Sequence, residues 1–218
     1  MNSSRVFPPC FNAIARWSIV AAIALAGAGA WGWYRFTRSE FVELTGYPVE
    51  QPVQFSHMHH VSRLGIDCRM CHASVETSSF AGMPPTYTCM TCHSQIWRNT
   101  AMLAPIRESL DLGRPMQWRR VYDLPRFVYF DHRIHVAKGI GCASCHGAVD
   151  RMPLVALNQP LHMRWCLDCH RRPERFARPK ELVFDMKYKE PADQIGLGRR
   201  LVSEYGIRKL TDCSVCHR

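Results

Sequence analysis

A five-residue motif, Cys-x-x-Cys-His, occurs five times in this chain of 218 residues and constrains its fold more than any other feature. The copies read CRMCH (68–72), CMTCH (89–93), CASCH (142–146), CLDCH (166–170) and CSVCH (213–217). They contain ten of the eleven cysteines, and only Cys10 lies outside them. Cysteine is therefore part of a repeated site here and not a general packing residue.

Three kinds of site use paired cysteines, and the motif favours one of them. Zinc ribbons need two Cys-x-x-Cys pairs per ion, so five pairs would leave one over, and they do not require a histidine after each pair. A thioredoxin-like dithiol usually occurs once, near a βαβ pattern that this sequence does not show. Covalent haem c explains every position, because two thiols form thioethers with the vinyl groups and the next histidine ligates the iron. We therefore predict five covalently bound haem c groups.

The motif assigns most of the site residues directly. The predicted thioether cysteines are Cys68, Cys71, Cys89, Cys92, Cys142, Cys145, Cys166, Cys169, Cys213 and Cys216. The predicted proximal iron ligands are His72, His93, His146, His170 and His217. Six further histidines remain for five distal positions: His57, His59, His60, His132, His135 and His162. Irons closed on both faces carry electrons and bind no substrate, so we predict no catalytic residue and no enzymatic activity on this chain itself.

An internal repeat precedes two of the motifs. FSHMHHV (55–61) matches FDHRIHV (130–136) as F-x-H-x-x-H-V, and each copy is followed by Gly-Ile and a haem motif. The chain then divides into a dihaem half (50–110), a connector (111–129) and a trihaem half (130–218). Two histidines three residues apart share a helical face and can ligate two neighbouring haems. The predicted distal ligands are His57, His60, His132 and His135.

One segment has the length and composition of a membrane span. Residues 17–34, WSIVAAIALAGAGAWGWY, are uncharged and would extend about 27 Å as a helix, close to the roughly 30 Å hydrocarbon core. A cleaved signal peptide is the alternative, because AGAGA contains small residues suited to cleavage. We expect a retained signal anchor in the lipid, with a short cytoplasmic segment (1–16) before it. Because haem c is attached outside the bacterial inner membrane, the haem domain is expected on the periplasmic face of a single-pass protein.

The net charge of +10 does not indicate a nucleic-acid partner. The arginines are scattered around the cysteine motifs, no basic run interleaves with aromatic residues, and haem propionates would offset the charge. With so few residues per haem, the porphyrins would form the core, so the expected fold is mainly α with much irregular loop. A helix is predicted over 94–110, and a short strand or extended segment over WRRVYDLPRFVYF (118–130).

The second half resembles the trihaem cytochrome c7 and c3-like family, which shares His-x-x-His, a haem motif and a later histidine before the next motif. The resemblance implies that His132 is opposite His146 and His135 opposite His170, with His162 opposite His217. Through the internal repeat, it also implies that His57 is opposite His72 and His60 opposite His93. No role follows for His59 or Cys10.

Residues 50–175 also resemble the pentahaem c-type cytochrome subunit of alternative complex III, through FAGMPPTYTCMTCHSQIW, VYDLPRFVYFDHRIHVAKGIGCASCHGAVDRM and LHMRWCLDCHRRP. His162 falls at a variable place of that pattern, so Met163 is its rival as the fifth distal ligand. The resemblance implies electron relay from quinol oxidation, with integral-membrane and iron–sulfur subunits as partners. A soluble monohaem cytochrome c or a blue-copper protein would be the acceptor. The alternatives are a self-sufficient quinol dehydrogenase feeding a periplasmic reductase and a multihaem reductase.

Overall fold

The structure is a computed structural model that describes residue 8 and residues 10–217. The chain forms two compact units, Met1–Thr45 and Gly46–Arg218. Within the described residues all regular structure is helical, and extended segments pair only at three isolated β-bridges. The prediction of a mainly α chain with much loop is therefore confirmed.

The first unit contains one long helix, α1 (Cys10–Phe36), followed by the single turn α2 (Glu40–Glu43). The 27 residues of α1 extend about 40 Å at the helical rise, so the helix begins seven residues before the predicted span 17–34. Of the predicted segment 1–16, residues 10–16 are thus helical, while residues 1–7 and 9 lie outside the described part. By length and composition α1 fits a membrane anchor and a signal sequence alike.

In the second unit each haem motif forms a short helix or the end of one. The motif helices are α3 (Cys68–Cys71), α4 (Thr86–His93), α7 (Cys142–His146), α8 (Met163–Arg171) and α10 (Cys213–Cys216). The other α-helices are α5 (Ala104–Asp111), α6 (His132–Ala137) and α9 (Gln194–Glu204). A π-helix spans Met58–Arg63, and 3₁₀ turns lie at Ala101–Leu103, Val149–Arg151, Pro173–Arg175 and Lys180–Leu182.

The two sequence repeats form different types of helix. The first continues as the π-helix Met58–Arg63, whereas the second continues as the α-helix α6. The first repeat has five positions from His60 to Gly65, and the second has four from His135 to Gly139. A π-helix accommodates one extra residue within a helical turn, so the insertion explains the difference.

The helix predicted over 94–110 forms only in its second half. Residues 94–100 make turns, and Trp97 takes a left-handed backbone conformation with φ of 55°, which ends any helix continuing from α4. Pro105 then occupies the first turn of α5, where its fixed φ suits helix initiation. The segment 118–130, predicted as a short strand or an extended segment, is irregular and makes one isolated bridge, Val128 to His217, so it forms no strand.

Few apolar side chains are buried in the described part of the chain. They are Val53, Val75, Leu103, Ile106, Ala156, Ala177, Val183 and Leu201. Val53, Leu103 and Ile106 form one cluster, and Trp118 packs against it as an ordinary core aromatic. These eight side chains are a small apolar core for a unit of this length.

Candidate haem-binding sites

Each motif places its two cysteines one helical turn apart. In α3 the N–H of His72 donates to the carbonyl of Cys68 at 2.9 Å, and in α10 the N–H of His217 donates to Cys213 at 2.8 Å. Residues three apart on a helix share one face, so both thiols of a motif are directed to the same side. None of the ten motif cysteines forms a disulfide. Within residues 10–217 no three His, Cys, Asp or Glu side chains converge as a zinc cage would need.

Four motif histidines lie opposite a histidine of the F-x-H-x-x-H repeats. The ring centres are 6.5 Å apart for His57 and His72 and 6.3 Å apart for His132 and His146. The ring centres are 6.2 Å apart in each of the other two pairs, His60 with His93 and His135 with His170. The structure therefore brings together the four pairs that the repeat and the family resemblance imply.

These separations fit an iron between the two rings. A histidine nitrogen ligates a metal at about 2 Å and lies about 1 Å from its ring centre, so axial imidazoles on one iron have centres roughly 6 to 6.5 Å apart. Direct van der Waals stacking of the same rings would bring the centres about 2 Å closer. The residues present thus fit a six-coordinate haem iron at four of the five motifs.

The ring planes of the four pairs fall into two classes. His57 and His72 are inclined by 2° and His132 and His146 by 12°, so both pairs are nearly parallel. The pair His60–His93 is crossed at 68°, and the pair formed by residues 135 and 170 is crossed at 71°. The first histidine of each repeat therefore gives a parallel pair and the second gives a crossed pair.

The phenylalanine of each repeat fixes the rings of both histidines. Phe55 meets His57 edge to face at 4.9 Å and lies along His60 at 4.4 Å with 23° between the planes. Phe130 repeats this arrangement with the histidines at 132 and 135, at 4.7 Å and 4.5 Å. One aromatic ring thus holds two candidate ligands that belong to different sites, which couples the orientation of neighbouring sites.

Backbone carbonyls orient most of the candidate ligands. Nδ1 of His72 lies 2.8 Å from the carbonyl oxygen of Gly82, and Nδ1 of His93 lies 3.0 Å from that of Ile96. The same contact is made by His60 to Ser56, His132 to Ser79, His135 to Asp131 and His217 to Phe127. A carbonyl only accepts, so Nδ1 carries the proton and Nε2 keeps a lone pair for a metal. Nδ1 of His57 is buried without a partner among the described residues.

Burial keeps the imidazole rings of His57 and His146 neutral. Burial, and after it the nearby His72 and His60, lowers the pKa of His57 to about 4. Burial also lowers the pKa of His146 to about 4, with His132, His72 and His57 as the further causes. A histidine must be neutral to ligate a metal, so these two are available as ligands at neutral pH.

At the fifth motif, the structure positions the predicted proximal ligand, His217. Nδ1 of His217 lies 3.3 Å from the carbonyl of Phe127, and the Phe127 ring centre is 5.9 Å from that of His217. His162 is the N-cap of α8 and Met163 its first residue, and both side chains are exposed. Which of the two is the fifth distal ligand stays a prediction.

Two aromatic contacts were not anticipated from the sequence. Trp97 lies between His59 and His93, with ring centres at 5.6 Å and 6.2 Å, so the unassigned His59 packs on a residue that contacts a motif histidine. Tyr122 meets the ring of His146 edge to face at 4.3 Å. No sequence pattern predicts the positive φ of Trp97. Tyr122, in contrast, lies in an aromatic-rich segment, where a contact with a motif histidine can be expected.

Two comparisons with known proteins bear on these sites. The family described as "Cytochrome c7 and related cytochrome c" matches residues 128–218. Residues 128–218 are a cytochrome c7-like multihaem domain. A domain of this kind implies covalently bound haem c at its Cys-x-x-Cys-His motifs. The matched segment begins two residues before Phe130, where the second repeat starts.

The chain that carries this c7-like domain is also similar to a curated bacterial protein. It is 33% identical over 130 residues to the multihaem cytochrome c subunit of a menaquinone reductase from Nitratidesulfovibrio vulgaris. The alignment covers 59% of this chain and 59% of that subunit, so the chain spans little more than half the length of its relative. In that relative, a multihaem cytochrome c is a subunit of a menaquinone reductase.

Proposed function

We propose that this chain is an electron-transfer cytochrome with five covalently bound haem c groups, working as one subunit of a quinone-linked membrane complex. The observation that supports it most strongly is the set of four opposed imidazole pairs at 6.2–6.5 Å, each joining a motif histidine to a repeat histidine. A ligand set closed on both faces leaves no position for a substrate, so transfer of electrons is the chemistry that remains. The chain itself is then not an enzyme.

The chain's own residues would hold and tune the groups. The two cysteines of each motif would form the thioethers, and the opposed histidines would be the axial ligands. Each haem c, when bound, supplies a one-electron couple between ferric and ferrous iron. Nδ1–H donation to backbone carbonyls fixes the tautomer and makes the other nitrogen a better donor, which favours the ferric state. Burial of the pairs His57–His72 and His132–His146 excludes water, which favours the ferrous state and so raises the reduction potential.

The membrane and its partners complete the proposal. Helix α1 would be a retained anchor in the bacterial inner membrane, with the second unit in the periplasm where haem c is attached. In the arrangement that resembles alternative complex III, integral-membrane and iron–sulfur subunits oxidise a quinol. The electrons then cross this chain to a soluble monohaem cytochrome c or a blue-copper protein. The apolar length of α1 and the similarity to a subunit of a quinone-linked complex support this placement.

The name of the relative favours a second candidate with the opposite direction of flow. In a menaquinone reductase, a quinone takes up two electrons and two protons to become a quinol, so a cytochrome subunit would deliver electrons toward the membrane. The same ligand pairs serve either direction, because a chain of haems conducts according to the potentials at its two ends. Identity of 33% over part of the chain does not choose between the directions.

The test begins with the full chain, purified from a bacterial membrane with its haems attached. We expect a haem-to-protein ratio of five and low-temperature paramagnetic resonance with only low-spin ferric signals. Parallel and crossed imidazole planes give different low-spin signals, so the 2° and 12° pairs and the 68° and 71° pairs should appear as two classes. A high-spin signal that shifts on adding a small ligand would contradict the closed-iron proposal and indicate a reductase.

The partner test uses the same preparation. Co-purification of several polytopic subunits, with reduction of the haems by quinol only in that complex, is the expected result. Rapid reduction of the isolated chain by quinol would instead support the self-sufficient quinol dehydrogenase. Measuring whether quinol reduces the haems, or reduced haems reduce menaquinone, in the intact complex then decides the direction of flow.

A further inference from the structure

The order of the sites in space differs from their order along the sequence. We propose that electrons cross this chain through the motifs in the order second, first, third, fourth, fifth, so that the second and fifth motifs are the ends where other proteins exchange electrons. This rests on the proposed function, because it takes each motif as a haem site. Four independent observations on side-chain and backbone positions support it.

Two links of the series come from shared helical turns. His57 lies opposite the first motif and His60 opposite the second, and the two are three residues apart on one turn against the same Phe55 ring. The first and second sites are therefore neighbours. The second repeat makes the same arrangement around Phe130, so the third and fourth sites are neighbours as well.

The central link is a reciprocal exchange between the repeats. The N–H of Met58, just after the first repeat histidine, donates to the carbonyl of Met152 at 3.1 Å. The N–H of Arg133, at the same position of the second repeat, donates to the carbonyl of Ser78 at 3.3 Å. Met152 and Ser78 each lie six residues after a motif histidine, of the third and the first motif respectively. Each repeat thus binds the segment that follows the other repeat's motif, as a pseudo-two-fold pair does.

Side-chain contacts reinforce the same junction. The hydroxyl of Ser62 donates to the carbonyl of Asp150 at 2.7 Å and to its carboxylate at 3.0 Å, and Asp150 is 3% exposed. On the other side, both the N–H and Nδ1 of His132 contact the carbonyl of Ser79, at 3.1 Å and 2.9 Å. The first and third sites are therefore neighbours.

The last link attaches the fifth motif to the fourth site. The N–H of Tyr129 donates to the carbonyl of Cys216 at 2.8 Å, and Val128 forms a bridge with His217. These residues lead directly into Phe130, whose ring stacks on His135 of the fourth site and meets His132 of the third site edge to face.

Exposure of the motif cysteines identifies the ends independently. Among the ten motif cysteines, all of them described, only Cys92 of the second motif and Cys213 of the fifth are exposed. The other eight, in all five motifs, are partly buried. A terminal site needs an edge near solvent to exchange electrons with a partner, while interior sites need only each other. The exposure pattern matches the ends given by the contacts.

The test uses the loaded full-length chain and two matched variants, His60→Met and His57→Met. Each changes one distal ligand and raises the potential of its own haem. Because charges on adjacent haems interact, neighbours of the altered haem shift in a spectroscopically monitored redox titration. We expect His60→Met to shift one further haem and His57→Met to shift two. Two shifted neighbours for His60→Met, or one for His57→Met, would overturn the order.

A second measurement keeps the order testable if a variant loses a haem. A structure of the unaltered holoprotein gives all iron positions, and the irons of the second and fifth motifs should be the farthest apart. Any other pair at the ends would refute the order. Haem count and coupling to quinone are measured separately, so five haems in another order would refute only this inference. Fewer than five haems would refute the proposed function.

Discussion

Alanine at Gly65 and at Gly139, the same position of the two repeats, is expected to destabilise the protein by very different amounts. Both glycines have positive φ, 70° and 73°, so alanine at either costs about 1 to 2 kcal/mol for the left-handed backbone. At Gly65 nothing lies within 4 Å of an added Cβ. Gly65→Ala should therefore cost only that amount.

At Gly139 the added methyl has no room. It would overlap the carbonyl oxygen of Arg178 and come within 2.9 Å of the Tyr205 ring. The backbone must move, which threatens the hydrogen bond from the N–H of Arg178 to the carbonyl of Gly139, now 2.9 Å long. Overpacking of about 1 to 3 kcal/mol and a weakened buried hydrogen bond of about 1 kcal/mol raise the expected total to about 3 to 6 kcal/mol.

The assay is denaturant unfolding of the full-length holoprotein in detergent, followed by far-ultraviolet circular dichroism. The midpoint should fall much further for Gly139→Ala than for Gly65→Ala, with similar slopes, because the same surface is exposed on unfolding. Gly65→Ala is the matched control, since it carries the same backbone penalty without the contact. Losses that agree within about 0.5 kcal/mol would refute the packing assigned to Gly139.

The remaining predictions concern haem attachment and the small apolar core. Replacing Cys213 and Cys216 together with alanine is expected to lower the haem-to-protein ratio from five to four, measured by intact mass. Cys10→Ser, outside the motifs, should leave the ratio unchanged. An unaltered ratio in the double variant would exclude haem attachment at the fifth motif. On α9, Leu201→Ala should lower the free energy of unfolding by about 2 to 4 kcal/mol, because Leu201 is only 6% exposed. Ile195→Ala, at a position that is 39% exposed, should lower it by less than about 1 kcal/mol. Equal losses in thermal unfolding would contradict the packing of α9.

The features that the sequence predicted well are those set by spacing over a few residues. The sequence shows five Cys-x-x-Cys-His motifs, two F-x-H-x-x-H repeats and one apolar segment. The mainly helical fold was predicted from them. The helix from 94 was predicted too long because the left-handed conformation of Trp97 depends on its neighbours and not on its residue type. The apolar run predicted the middle of α1 but not its start at Cys10, because polar residues can extend a helix beyond the apolar span.

Long-range contacts were outside what spacing can predict. The bond from Met58 to Met152 joins residues far apart in the chain, and neither side chain indicates that its backbone is needed. The same holds for Arg133 and Ser78. The two hydrogen bonds occupy equivalent positions of the repeats, so each can be predicted once the other is known. The spatial order of the sites therefore had to come from the structure.

The paired rings have similar geometry in the two repeats, although the first repeat is one residue longer. The extra residue falls after His60, but the π-helix that accommodates it begins at Met58, between the two histidines. The chain absorbs it in the π-helix and returns to the same point: the N–H of Ile66 donates to the carbonyl of His60 at 3.1 Å, as Ile140 does to the second histidine of its repeat at 3.0 Å. The crossed ring angles of 68° and 71° then agree although one helix is π and the other α. The crossed ring pair therefore has the same geometry in both helix types, and the hydrogen bond of Ile66 or Ile140 returns each chain segment to the same point before its motif.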